Sequence, residues 1–187
     1  MRSARGLMNF ERFALSGPAL IQPKLIGDDR GFFMEAFKDA WFREHIEDVT
    51  FVQDNQSLSR QVGTIRGLHY QKAPVGQGKL IRCLKGAIFD VAVDIRPQSA
   101  TFGRWVGETL TAEGGEQLWV PEGFAHGFCT LQPDTEVFYK VTNPYSREHD
   151  AGIAFDDPEI GIEWPFDLSK AVLSEKDKVQ PPLASLR

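Results

Sequence analysis

Cysteine is scarce: the 187 residues hold two, Cys83 and Cys129. Each lies in an apolar run, LIRCL and GFCTL. That favours two buried free thiols over a disulfide and leaves too few ligands for a metal site. Positive charge is not in excess either. The formal net charge is -5, so the general basic footprint of a nucleic-acid binder is missing. A locally positive pocket for a small anion stays open. No apolar stretch approaches the ~20 residues of a membrane span. The N-terminal MRSARGLMNF carries basic residues without the apolar core of a secretory signal. The expectation is a cytoplasmic protein with neither a membrane nor a nucleic-acid partner. Internal repeats and low-complexity segments are missing as well, which argues against a repeat array or a disordered tail.

What is there is an ordinary globular composition, 42% hydrophobic and 25% charged, in a length that suits one domain with a full core. Short apolar runs at 19–26, 31–37, 51–59, 64–71, 79–95, 104–111, 116–123, 125–132 and 135–142 read as strands separated by turn signals. Lys85-Gly86 fits a hairpin turn inside the long fifth run. Only residues 38–48 have helical character, with Trp41, Phe42 and Ile46 near helical spacing. Many short strands and one early helix predict an all-β, jelly-roll barrel or sandwich. After residue 150, Pro, Asp and Ser mix with single apolar residues, which reads as a C-terminal arm over the barrel. Residues 1–18 read as a flexible N-terminal extension and 19–187 as the single domain.

Within WVPEGFAHGF, Pro121, Gly123 and His126 keep the spacing Pro-x-Gly-x-x-His. This resembles the second motif of the cupin superfamily, whose members are small jelly-roll barrels. Metal-binding cupins pair it with Gly, five residues, then His-x-His and a downstream Glu. Here Gly63 is followed after five residues by His69, but position 71 is Gln71 and the glutamate is missing. His69 and His126 supply two ligands where a mononuclear site needs about three. The chemistry is expected to be metal-free, without a cofactor, and carried by side chains. Asp90 and Asp94 stand among Ile, Phe, Val and Ala, where an unpaired carboxylate is costly; each needs a partner or a task. Lys79 at a strand start reads as a surface charge, Tyr139 as packing, and Asp177, in LSEKDK, as part of a solvated charge run.

GDDRGFFMEAF, FVQDNQSLS, IRGLHYQ, QGKLIRCLKGAIFDVAVDIR, TFGRW, LWVPEGFAHGF and IGIEWP followed by LSEKD occur in one order. Together they resemble the dTDP-4-dehydrorhamnose 3,5-epimerase family over residues from about 19 to 180. The resemblance implies a dTDP-linked 4-keto-6-deoxy sugar as substrate. Its ketone acidifies the C–H bonds at C3 and C5, and inversion needs a base, an enolate stabiliser and an acid on the opposite face. By resemblance the base is His69, its carboxylate partner Asp177, the cation facing the enolate Lys79, and the acid Tyr139. Arg66 matches a diphosphate-binding position; Gln53, Asn55 and His126 match further binding positions, as do Asp90 and Tyr145. Arg30, Phe33 and Glu35 match positions that reach the nucleotide of a neighbouring subunit, which implies a homodimer with exchanged N-terminal strands. Arg66 and His69 lie three residues apart, on opposite faces of an ideal strand; a bulge near Gly67 would reconcile them. TNPYS departs from the family pattern at Asn143 and Pro144, where Asp and Tyr are frequent. The alternatives are a mono-epimerase acting at C3 or C5 alone, a metal-dependent cupin such as an oxygenase, and a sugar-nucleotide binding protein without catalysis.

Overall fold

The alternating and continuous apolar runs of the sequence become two antiparallel sheets. The structure is a computed structural model that describes residues 6–187. Its strands are β1 (Met8–Arg12), β2 (Ala19–Pro23), β3 (Ile26–Asp28), β4 (Gly31–Phe33), β5 (Gln53–Ser59), β6 (Ile65–Gln71) and β7 (Lys79–Lys85). They continue with β8 (Ala87–Asp94), β9 (Trp105–Thr111), β10 (Gln117–Val120), β11 (Phe124–Thr130), β12 (Thr135–Val141) and β13 (Asp150–Gly152). A six-stranded sheet runs β1-β2-β10-β7-β12-β5, a five-stranded sheet runs β13-β6-β11-β8-β9, and β3 and β4 form a separate two-stranded sheet. The two large sheets face each other as a cupin-like jelly roll. Ile81 and Val137 from one sheet pack against Ile88, Leu110 and Phe128 from the other. Each such fully buried side chain contributes about 1.5–3 kcal/mol.

The outer faces are covered too, which is why β8 and β11 read as unbroken apolar runs rather than alternating ones. Outside the five-stranded sheet, Ile153, Phe155, Trp164 and Leu183 of the C-terminal segment pack on Ile65, Leu68 and Val91. Outside the six-stranded sheet, helix α1 (Asp39–His45) lays Phe42 against Trp119, with ring centroids 5.1 Å apart. The helix is shorter than residues 38–48, because its backbone leaves helical geometry just after Ile46. Lys85-Gly86 is the expected hairpin turn between β7 and β8, with Gly86 at φ +77°. Residues 19–26 are not one strand; the run breaks after Pro23. Residues 8–12, assigned from the sequence to the N-terminal extension, form β1 and pair with β2 from Met8↔Pro23 to Arg12↔Ala19. Residues 1–5 of that extension lie outside the described residues. Cys83 and Cys129 are free and buried, with both thiols pushed up to about 11 by burial. Among the described residues, no helix is long and apolar enough to cross a membrane.

Candidate active site

The cleft lies between the open ends of the two sheets and has two lobes. One, of about 410 Å³, is lined by Arg66, His69, Lys79, His126, Tyr139 and Asp177 with apolar Ile65, Phe128, Val172 and Leu173. The other, of about 500 Å³, is lined by Gln53, Asn55, Gln71, Gln77, Tyr145, Asp150 and Lys176. His69, Lys79 and Tyr139 line both lobes, so they stand where the two meet.

A backbone irregularity brings Arg66 and His69 to one side of β6. Opposite β11, His126 pairs with His69 but Phe128 pairs with Arg66, so three steps on β6 match two on β11. β11 runs regularly against β8 through the same residues, which assigns the extra residue to β6. Gly67 takes φ +135° there. This is the bulge expected from the sequence.

His69 is turned by the C-terminal arm. Its Nε2–H donates to Asp177 Oδ1 at 2.5 Å, and Ser174 Oγ donates to Asp177 Oδ2 at 2.8 Å. Asp177 is 4% exposed, so it does not belong to the solvated run that LSEKDK suggests; Glu175 and Lys178 take the solvent side instead. Burial alone would raise the Asp177 carboxyl. The hydrogen bond from His69, its charge, Ser174 and Lys176 outweigh it and hold the carboxyl below the usual range. An ionised Asp177 keeps the proton on Nε2 and leaves Nδ1 as the basic nitrogen.

Lys79 is not a surface charge. It is buried, and its Nζ donates to the His69 carbonyl at 3.2 Å. Among the described residues no carboxylate lies within ion-pair reach of it. Burial pushes the ammonium down to about 8, against the pull of Asp90 and Asp150. Tyr139 projects from β12, and burial raises its phenol above the ordinary range, opposed by the charge of Arg66. A second histidine–carboxylate pair lies behind: His126 Nε2 meets Asp90 Oδ1 at 2.7 Å, and Asp90 is fully enclosed. Burial lowers His126 more than Asp90 raises it, and Lys79 and His69 add to the lowering. Asp94, by contrast, has only structural partners. Arg96, Ser99 and Thr101 all donate to it and hold its carboxyl down to about 2 although burial opposes them.

The donor set does not fit a mononuclear metal. Gln71, where a metal cupin has its second histidine, spends its amide on backbone groups of Val75, Pro144 and Ser146. Arg66, His69, Lys79, His126, Tyr139, Asp177, Gln53, Asn55 and Tyr145 come together in the cleft, and Asp90 touches it through His126. Arg30, Phe33 and Glu35 do not reach it. They lie on or beside the β3–β4 hairpin, where Arg30 pairs with Asp28 at 2.5 Å and Phe33 is 65% exposed. Asp150 and Lys176 went unnoticed in the sequence. They form an ion pair of 2.5 Å at the rim, and Tyr145 Oη donates to the same carboxylate at 3.1 Å. Only the neighbourhood of Lys176 to Asp177 in the chain could have pointed to it.

Four findings from known proteins bear on this cleft. A family model described as dTDP-4-dehydrorhamnose 3,5-epimerase matches residues 12–185. The dTDP-4-dehydrorhamnose 3,5-epimerase of Sinorhizobium fredii is 56% identical over 179 residues, covering 96% of this chain and 91% of its own. Among solved structures, the Bacillus anthracis dTDP-4-dehydrorhamnose 3,5-epimerase with TDP and PPi bound superposes with a TM-score of 0.88 at 46% identity, covering 94% of this chain and 99% of that one. The dTDP-6-deoxy-D-glucose-3,5-epimerase of Legionella pneumophila, in complex with dTDP-4-keto-L-rhamnose, superposes with 0.90 at 43% identity and covers 96% of both chains. With the model spanning all but the ends and the identity this high, the chain belongs to the dTDP-4-dehydrorhamnose 3,5-epimerase family and is an isomerase.

Proposed function

We propose that the protein inverts C3 and C5 of dTDP-4-dehydro-6-deoxy-D-glucose to give dTDP-4-dehydro-L-rhamnose, using side chains alone. The observation that carries the roles is that base and acid stand on opposite walls. His69 is on β6 of the five-stranded sheet and Tyr139 on β12 of the six-stranded sheet. A sugar ring between them meets the base on one face and the phenol on the other. His69 removes the proton beside the ketone, and Asp177 stabilises the imidazolium that forms. The electron pair moves to the ketone oxygen, where Lys79 meets the enolate; such a stabiliser is typically worth ~10²–10³ in rate. Tyr139 then returns a proton to the opposite face; His69 releases its proton to solvent, Tyr139 regains one from solvent, and the same sequence at the second carbon completes the product. Among the described residues Arg66 has no carboxylate partner and hydrogen-bonds only Ser59 and Leu58, which suits it to the diphosphate.

The partner we propose is a second copy of this chain, with exchanged N-terminal strands. Among the described residues the β3–β4 hairpin pairs with no other strand, and it exposes Ile26, Phe32 and Phe33, an apolar surface that calls for cover. Arg30, Phe33 and Glu35 would then reach the neighbour's nucleotide. A nucleotide-linked sugar substrate accords with a cytoplasmic setting.

The test is hydrogen exchange. Incubated with dTDP-4-keto-6-deoxyglucose in deuterated water without added metal, the protein is expected to place deuterium at both C3 and C5. Its His69→Ala variant should lose turnover by ~10²–10⁴-fold, the usual share of a general base, while binding of dTDP by calorimetry persists. Exchange at one carbon only would reduce the reaction to a mono-epimerisation, and full turnover in the variant would remove His69 from the mechanism.

A further inference from the structure

Gln71 commits both amide hydrogens and its carbonyl oxygen to two loops. It is buried at the end of β6. Its Nε2 donates to the carbonyls of Val75 at 2.8 Å and Pro144 at 3.2 Å, and its Oε1 accepts the Ser146 N–H at 2.6 Å. Neither 72–78 nor 142–146 has regular structure of its own. They are stitched together from the far side as well. Asn143 Nδ2 donates to the Gly76 carbonyl at 2.7 Å, and Gln77 Nε2 donates to the Asn143 carbonyl at 2.7 Å.

One residue sits inside this clamp. Gln71 holds Pro144 and Ser146, the residues on either side of Tyr145. Tyr145 itself lies 58% exposed at the rim. Its N–H donates to Gln53 Oε1 at 3.3 Å, and its hydroxyl reaches Asp150. A side chain with a single bond into the segment would only tether it; bonds on both sides of Tyr145 fix its position and direction. Pro144 has a carbonyl but no N–H, and that carbonyl is committed to Gln71.

We infer that Gln71 is a positioning residue that sets where Tyr145 stands over the polar lobe, and thereby how the two proton exchanges are divided between C3 and C5. The inference rests on the epimerase reading. C3 and C5 flank the ketone, so one base serves both only if the ring can present each C–H in turn. A rim group that leans on one edge of the ring biases that presentation, and reaction rate is steep in such alignment.

The experiment compares the unaltered protein with Gln71→Glu and Asn143→Asp in deuterated water, reading early deuterium at C5 relative to C3, together with kcat, KM and thermal melting. Gln71→Glu keeps the shape but replaces both donated hydrogens by acceptors, so the Val75 and Pro144 carbonyls lose their partner. Asn143→Asp releases the half-exposed far end of the clamp. The ratio is expected to shift by ~10-fold in Gln71→Glu, a fraction of the ~100-fold that a 1 Å misplacement costs, and in the same direction in Asn143→Asp. A glutamine that merely stabilises the fold would lower melting or active fraction and reduce both exchanges together. An unchanged ratio in the variants that fold overturns the inference; should Gln71→Glu not fold, Asn143→Asp decides. No exchange in the unaltered protein would instead overturn the epimerase reading, and the inference with it.

Discussion

Lys79 is a buried cation with no carboxylate in ion-pair reach among the described residues, and its ammonium is held down to about 8, foremost by burial. The proposed role needs the charged form. A lysine with a lowered value loses its proton as pH rises through that value, so kcat/KM of the free enzyme should fall above about pH 8. Tyr139 does not produce that limb, because burial moves its phenol upward. In Lys79→Arg the guanidinium stays protonated throughout; the limb should vanish from the profile while kcat drops by ~10²-fold for the altered geometry. A limb that persists near the same pH would belong to another group. The sequence exposes this residue only through its motif, since a lysine at a strand start is ordinarily solvated. It also marks Asp90 and Asp94 as costly without telling them apart: Asp94 clamps a turn, and Asp90 faces His126 with its second oxygen unpartnered. In LSEKDK the alternation of charge does not say which residue turns inward. That is decided by Ser174 and a single turn of 3-10 helix at Asp177–Val179.

At the scale of elements, β6 and its bulge decide whether the base and the proposed phosphate ligand share a wall. A Cβ on Gly67 would come within 2.5 Å of Gly127 Cα and 2.8 Å of the His126 carbonyl, both backbone, at a φ of +135° that L side chains avoid. Gly67→Ala therefore has to push β6 off β11 or abandon the bulge. The cost is on the order of 3 kcal/mol from strain and overpacking, a fall in Tm of roughly 10 °C by differential scanning calorimetry. Activity should fall with it, since Arg66 and His69 lose their common side. A variant with unchanged melting and turnover would show the bulge to be dispensable. The bulge was legible only through the family resemblance, which assigns two side chains three residues apart to one pocket. The β7–β8 hairpin was legible through its glycine turn. β1 and β13 were not: MNFER carries charge among its apolar residues and DAG has no strand signature, and both form because an existing sheet edge pairs with them.

For the whole molecule, one chain holds His69, Lys79, Tyr139 and Asp177 in a single cleft but leaves Arg30 and Phe33 on an exposed hairpin and Glu35 just beyond it. No reading of one chain in isolation connects the two regions. The sequence connects them only through the family resemblance, which matches Arg30, Phe33 and Glu35 to positions that reach a neighbouring subunit's nucleotide. If the hairpin completes a neighbour's site, defects in the two regions should complement. His69→Ala lacks the base but keeps the hairpin; Arg30→Ala keeps the base and lacks the nucleotide contact. In a mixed dimer of these variants one site has both functions and the other has neither. Co-expression with different tags and purification through both would isolate that dimer. The isolated mixed dimer should recover about half of the unaltered rate, since one of its two sites is intact. Activity no greater than the sum of the two parents would mean that each chain builds its site alone, and the exchange of N-terminal strands would have to be given up while the cleft chemistry stands.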